Sequence, residues 1–140
     1  MGTSVWPRNR EARYAVLTAA AVAAILVVCL YPFRFAIRHG DIDAVGVLVR
    51  SWATPPVPID FILNVALYAP FGAFAALSFG RSIGAKFRIG VVTIGGALLS
   101  IAIELAQYFD AARFTAASDV YANVLGTLLA ATAAVLVFRR

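Results

Sequence analysis

Four apolar stretches, each long enough to cross a bilayer, dominate this 140-residue chain. About 20 apolar residues in a helix span the hydrocarbon core, where every backbone polar group must be paired internally. The sequence therefore predicts an all-α membrane bundle of four transmembrane helices, at residues 14–31, 59–79, 89–109 and 119–138. We interpret residues 1–140 as a single membrane domain.

The composition excludes a soluble domain of this size. Hydrophobic residues make up 62% of the chain and charged residues 14%, and the mean hydropathy is +0.87. A chain this short cannot enclose so much apolar surface in a water-soluble core. Its single cysteine, Cys29, lies in an apolar run, which predicts a buried side chain and no disulfide framework, metal motif or cofactor.

The first apolar stretch has a second interpretation. Arg8, Arg10 and Arg13 precede an apolar run that contains Ala-x-Ala triplets, as in a cleaved signal peptide. The run is longer than a usual signal core, and Tyr31-Pro32 resembles the interfacial end of a membrane span. We therefore favour a retained transmembrane helix.

Basic residues fall mainly on one side of the predicted membrane. Eight of them precede the first helix, join the second to the third, or follow the fourth: Arg8, Arg10, Arg13, Arg81, Lys86, Arg88, Arg139 and Arg140. Four lie on the other side: Arg34, Arg38, Arg50 and Arg113. The positive-inside rule then places both termini in the cytoplasm. Because the basic residues follow membrane topology, we expect no nucleic-acid partner.

The loop between the first two helices carries an amphipathic segment at residues 41–52. Its apolar residues recur at helical spacing: Ile42, Val45, Leu48, Val49 and Trp52. Two interpretations are open. The segment is either a helix on the outer membrane interface or a loop helix packed over the bundle.

Polar side chains enter three of the apolar stretches from the outer side only. The second stretch carries Asp60, Asn64 and Tyr68 at intervals of four, which places them on one helix face. The fourth carries Asp119 and Asn123 at the same interval, and the third ends with Glu104 and Gln107. We predict an outer-leaflet ligand-binding pocket, with Arg113 of the last loop beside the carboxylates, lined by Asp60, Asn64, Tyr68, Glu104, Gln107, Arg113, Asp119 and Asn123.

Structural roles for the same residues stay open. Asp60 and Asp119 stand where helix N-caps are expected. The amides of Asn64, Asn123 and Gln107 are suited to hydrogen bonds between helices. Glu104 lies deeper than a cap, and a carboxylate at that depth needs a partner, so we favour a functional role for it.

Two segments resemble each other at a distance of 59 residues. Asp60 and Asn64 correspond to Asp119 and Asn123, and a valine follows each asparagine. Both segments run inward from the outer side. This similarity suggests a parallel repeat of two helical hairpins.

On these residues the chain resembles the VanZ-like family of small bacterial membrane proteins. The matching elements are Asn64 to Gly72, Glu104-Leu-Ala-Gln107 with Tyr108-Phe109, Arg113, and Ser118-Asp119-Val120 through Asn123 and Gly126. The resemblance covers residue 31 to the C-terminus. Where relatives often have a second glycine after Gly126, this chain reads Leu-Leu-Ala, a difference that concerns packing more than chemistry.

The resemblance implies a multi-pass protein of the bacterial plasma membrane with a role in the cell envelope. The family takes its name from an accessory protein of glycopeptide resistance, associated with reduced susceptibility to teicoplanin, but membership does not imply resistance. We expect a non-enzymatic factor that binds membrane lipids, a lipid-linked cell-wall precursor or a lipoglycopeptide. The alternative is an intramembrane enzyme with Glu104 or Asp119 as acid or base and Arg113 on a phosphate. The apolar inner halves of the helices argue against an ion pathway, and the sequence leaves a homo-oligomer open.

Overall fold

A computed structural model describes residues 6–37, 43–80 and 82–138, with side chains from Arg10 onward in the first helix. Five α-helices and one 3-10 turn make up the described secondary structure: α1 Trp6–Leu30, α2 Ala44–Arg50, the 3-10 turn Ser51–Ala53, α3 Pro58–Ser78, α4 Ala85–Gln107 and α5 Ala117–Val137. The part of the chain that the structure describes contains no β-strand, only an isolated bridge between Phe35 and Asp110.

Four of these helices are long and apolar enough to cross a membrane: α1, α3, α4 and α5. The predicted four-helix architecture is thus confirmed, and each predicted end lies within four residues of the observed one except at the start of α1. That helix begins at Trp6 rather than at residue 14, because its basic first turns continue the helix beyond the apolar stretch. The apolar stretch alone marks the membrane span.

The loop segment predicted at 41–52 forms a shorter helix than expected. Asp43 caps α2, and its Oδ1 atom accepts a hydrogen bond from the backbone N–H of Gly46. The 3-10 turn then leads to Pro55. Ile42, which the amphipathic pattern included, lies outside the described residues, as do the charged residues Arg38, Asp41, Arg81, Arg139 and Arg140.

The helices alternate in direction. Tyr14 of α1 stacks on Phe74 of α3 near one end of the bundle, while Cys29 lies near Tyr68 toward the other, so the two helices are antiparallel. Helices α3 and α5 are parallel and form the most extensive contact of the fold. Helix α4 is antiparallel to α5, because Glu104 near the end of α4 is hydrogen-bonded to Ala116, just before the start of α5.

Glycine permits the close approach of α3 and α5. A Cβ atom at Gly126 would collide with the backbone oxygen of Val65, and one at Gly72 would collide with the backbone of Thr127. Gly96 of α4 leaves room for the Thr127 side chain in the same way. In lipid, helix association depends on packing, and small residues at the contact allow backbones to approach. These three buried glycines therefore lie where the helices of the bundle approach most closely.

Candidate functional site

The first turns of α3 and α5 lie side by side at one end of the bundle. Asp60 is the third residue of α3 and Asp119 the third of α5. Neither aspartate caps its helix: the N-cap residues are Val57 and Ala116, and neither helix has a side-chain capping hydrogen bond. The capping role considered for these carboxylates is therefore not the one that the structure shows.

Instead, the two carboxylates face a shared polar environment. Asp60 lies close enough to Asp119 for charge repulsion, and the Asn64 side chain makes a polar contact with Asp119. The Ser118 hydroxyl donates a hydrogen bond of 3.3 Å to Asp119 Oδ1. Two like charges held this close disfavour each other, so a donor or cation between them would be favourable.

A cavity of about 440 Å³ opens at this end of the bundle. Five of the eight predicted site residues line it: Asp60, Asn64, Gln107, Arg113 and Asp119. Apolar side chains also line it, namely Val57, Leu63 and Phe114, which are 56%, 59% and 90% exposed. The cavity thus combines carboxylate and amide groups with apolar side chains that project outward.

Glu104 lies beneath the cavity and does not line it. Its side chain is 2% exposed, and its Oε2 atom accepts a hydrogen bond of 2.8 Å from the backbone N–H of Ala116. The Glu104 carbonyl accepts another from the Thr115 hydroxyl. This carboxylate has the partner that its depth requires, and the partner is the residue before α5.

Arg113 and Gln107 bind the end of α1. Arg113 Nη2 donates to the Val28 carbonyl at 2.6 Å and Nε to the Tyr31 carbonyl at 3.0 Å. Gln107 Nε2 donates to the Cys29 carbonyl at 2.9 Å. The last carbonyls of a helix have no partner within it, and these side chains supply the missing donors. Arg113 lies close enough to the Glu104 carboxylate to act on it electrostatically, but two of its nitrogens donate hydrogen bonds to the end of α1.

Tyr68 and Asn123 lie deeper, between the helices. Asn123 Nδ2 donates to Ser100 Oγ at 2.9 Å, the hydrogen bond between helices considered for this amide. The Asn123 Oδ1 atom and the Tyr68 hydroxyl are buried, and neither has a hydrogen-bond partner among the described residues. Tyr68 lies close to the Ser100 side chain. Three of the predicted residues, Tyr68, Glu104 and Asn123, thus form a buried layer under the cavity.

Sequence reasoning missed two residues that shape this end of the bundle. Ser51 Oγ of the 3-10 turn accepts a hydrogen bond from the backbone N–H of Ala117, the first residue of α5. Asp110 is fully buried, and its carboxylate accepts from the backbone N–H groups of Arg34 and Ala112. Both residues stand outside the long helices, where no periodicity signals a distant partner.

Among the residues that the structure describes, no three histidine, cysteine or carboxylate side chains come together as a metal site requires.

The comparison with protein families decides the affiliation. A family model described as VanZ/LLP1 matches residues 3–138. The chain belongs to the VanZ/LLP1 family. The match extends through α1, whereas the resemblance read from the sequence motifs began only at residue 31.

No curated protein and no solved structure matches the chain in the corresponding searches. Membership of the VanZ/LLP1 family and the four apolar helices together establish a multi-pass membrane protein of this family. The residues that carried the resemblance lie in the cavity, in the buried layer beneath it, in the hydrogen bonds to α1 and at the glycine contacts between α3 and α5.

Proposed function

We propose that this protein is an envelope factor that binds an amphiphile in the cavity between α3, α5 and the loop before α5. The ligand is a membrane lipid, a lipid-linked cell-wall precursor or a lipoglycopeptide, whose headgroup occupies the polar part of the cavity. The observation that carries the proposal is the combination, within one cavity of about 440 Å³, of paired aspartates with outward-projecting apolar side chains.

The apolar lining supports an amphiphile over a purely polar solute. Phe114 is 90% exposed although it lines the cavity, and Leu63 is 59% exposed. An exposed aromatic or leucine side chain beside carboxylates offers acyl chains a surface while the headgroup is held by polar groups. A small hydrophilic solute gains nothing from that surface.

The charge distribution supports placing this cavity at the outer leaflet. Of the described basic residues, Arg10, Arg13, Lys86 and Arg88 belong to the opposite end of the bundle, at the start of α1 and of α4, while Arg34, Arg50 and Arg113 belong to the cavity end, where acidic residues outnumber them. By the positive-inside rule that end faces the cytoplasm, together with both termini. The cavity then opens where extracytoplasmic lipids and cell-wall precursors are found.

Native mass spectrometry of the protein extracted from bacterial membranes tests the proposal. We expect the wild type to retain a copurified amphiphile that the double variant Asp60→Asn, Asp119→Asn loses. Asp43→Asn is the matched control, because Asp43 is a carboxylate outside the cavity whose capping role asparagine preserves. Equal ligand retention in the double variant and the wild type would contradict the proposal.

The enzymatic alternative has less support from the geometry. Of its three proposed groups, Arg113 donates to α1, Glu104 is hydrogen-bonded below the cavity, and Asp119 lines it. An acid or base for a lipid-linked substrate would therefore be Asp119, with Asp60 as its neighbour. Turnover of an envelope lipid by purified protein, abolished in Asp119→Asn, would favour this alternative over binding alone.

A further inference from the structure

One basic residue at the opposite end of the bundle does not behave as a residue that only sets topology. An arginine that merely keeps a loop in the cytoplasm stays in water, where its charge is solvated. Arg88 is 9% exposed. Its Nε atom is fully buried and has no hydrogen-bond partner among the described residues.

Arg88 lies in the first turn of α4, on the side of the helix that faces the bundle. Ala85 and Val92, three residues before it and four after it, both belong to the packed interior. A helical side chain extends toward the N-terminus of its helix, so the guanidinium reaches back toward the start of α4. The N-cap residue Gly84 supplies no side-chain acceptor to the first N–H groups there.

Within the described part of the chain the buried Nε–H of Arg88 has no acceptor, so this guanidinium calls for a negative group. A buried charge without a partner is costly, and arginine in such a position is normally bound to a carboxylate or a phosphate. Glu11, an acidic residue at this end of the bundle, has its carboxylate beside Gly80 and forms no ion pair with Arg88 in the part of the chain that the structure describes. Lys86, two residues earlier in the same turn, is exposed and adds to the positive potential.

We propose that the start of α4 is a phosphate-binding site in which Arg88 is the principal donor. The planar guanidinium suits two phosphate oxygens, and the free N–H groups and positive dipole of the helix N-terminus favour the same charge. The phosphate belongs either to an anionic lipid headgroup or to free phosphate, and both present the same oxygens. The site lies at the opposite end of the bundle from the cavity, so it does not depend on the proposed function.

Thermal unfolding of the full chain tests this site. The first comparison is between wild-type protein in phosphatidylcholine nanodiscs and wild-type protein in nanodiscs that also contain phosphatidylglycerol. The second is between wild-type protein in chloride buffer and in inorganic phosphate buffer of the same ionic strength, both in phosphatidylcholine nanodiscs. We expect phosphatidylglycerol to raise the unfolding midpoint. Arg88→Leu should abolish the rise and weaken apparent phosphatidylglycerol affinity by about tenfold or more. Arg50→Leu, which removes an exposed arginine elsewhere, should keep the rise.

The comparison of the two phosphate sources shows whether the ligand is free phosphate or a lipid headgroup, and a second Arg88 variant covers the case in which the first does not fold. A rise with inorganic phosphate assigns the site to phosphate in general, and a rise with phosphatidylglycerol alone assigns it to lipid. Arg88→Leu removes an unpaired charge and should fold, but Arg88→Gln serves in its place if it does not. A wild type that responds to neither phosphate source overturns the proposal, as does a full response in the folded Arg88 variant.

Discussion

Glu104 Oε2 accepts a hydrogen bond of 2.8 Å from the backbone N–H of Ala116, so a carboxylate of α4 holds the N-cap residue of α5. The Ser51 hydroxyl holds the next N–H, that of Ala117. The start of α5, and with it the position of Asp119 in the cavity, is thus fixed by two side chains from elsewhere in the chain.

Replacing Glu104 separates this structural role from a role of its charge. Glu104→Gln keeps an oxygen that can accept from Ala116 and should retain most of the stability. Glu104→Ala leaves a buried N–H unpaired and should lower the free energy of unfolding by about 1–3 kcal/mol. Thermal unfolding in detergent measures both. Equal stability of Glu104→Ala and the wild type would show that the hydrogen bond contributes nothing.

Removing Arg113 should loosen α1. Arg113→Ala deletes two hydrogen bonds to the carbonyls of Val28 and Tyr31, both at the surface, and we expect a loss of about 1–2 kcal/mol. Arg113→Lys should restore only part of it, since lysine lacks the forked geometry. The measurement is the unfolding midpoint together with protease cleavage in the loop after α1. Arg50→Ala is the exposed control, and an equal effect of both substitutions would refute the specific role.

The contact between α3 and α5 should tolerate no added methyl group. Gly126→Ala places a Cβ atom against the Val65 carbonyl, and overpacking of this kind costs about 1–3 kcal/mol. Gly95→Ala is the matched control, because nothing lies within 4 Å of a Cβ atom there. Alanine also favours helix over glycine. We therefore expect Gly95→Ala to be as stable as the wild type or more so in the same unfolding assay.

Tyr68→Phe should not destabilise the protein. The Tyr68 side chain is fully buried and its hydroxyl has no hydrogen-bond partner in the described structure. Removing an unpaired buried hydroxyl recovers its desolvation cost, so we expect the free energy of unfolding to stay equal or rise by about 1 kcal/mol. Tyr121→Phe, at a half-buried tyrosine, is the comparison. A clear loss of stability in Tyr68→Phe alone would mean that the hydroxyl does have a hydrogen-bond partner, for which the nearby Ser100 side chain is the candidate.

The fold was largely predictable because lipid restricts what a backbone can do. Each apolar stretch had to become a helix, and the helices end close to where the apolar pattern ends. The four-residue spacing predicted one helix face for Asp60 and Asn64 and one for Asp119 and Asn123; in the structure the first pair and Asp119 line the cavity, while Asn123 lies below it against Ser100. The inward direction and the parallel repeat remain predictions, since they concern the membrane and an evolutionary relation rather than contacts.

The hydrogen-bond partners of the polar side chains could not be predicted from their spacing in the sequence. Gln107 and Arg113 stand beside the carboxylates in the sequence pattern, but their hydrogen bonds go to carbonyl groups 78 to 85 residues earlier in the chain. Any helix end needs donors, and the sequence does not say which side chain supplies them. Ser51 and Asp110 were missed for the same reason, because their partners are backbone groups that carry no sequence signature.

The hydrogen bonds at the end of α1 also bear on how the protein is made. Membrane helices enter the bilayer in order as the chain is synthesised, and α1 enters first. Its last carbonyl groups find their donors in Gln107 and Arg113, which leave the ribosome only after α3 and most of α4. Until then these carbonyl groups lack their donors, and α1 has only its packing against α3 to hold it. A chain stopped before Gln107 would lack all three of these hydrogen bonds and would hold its first helix by side-chain packing.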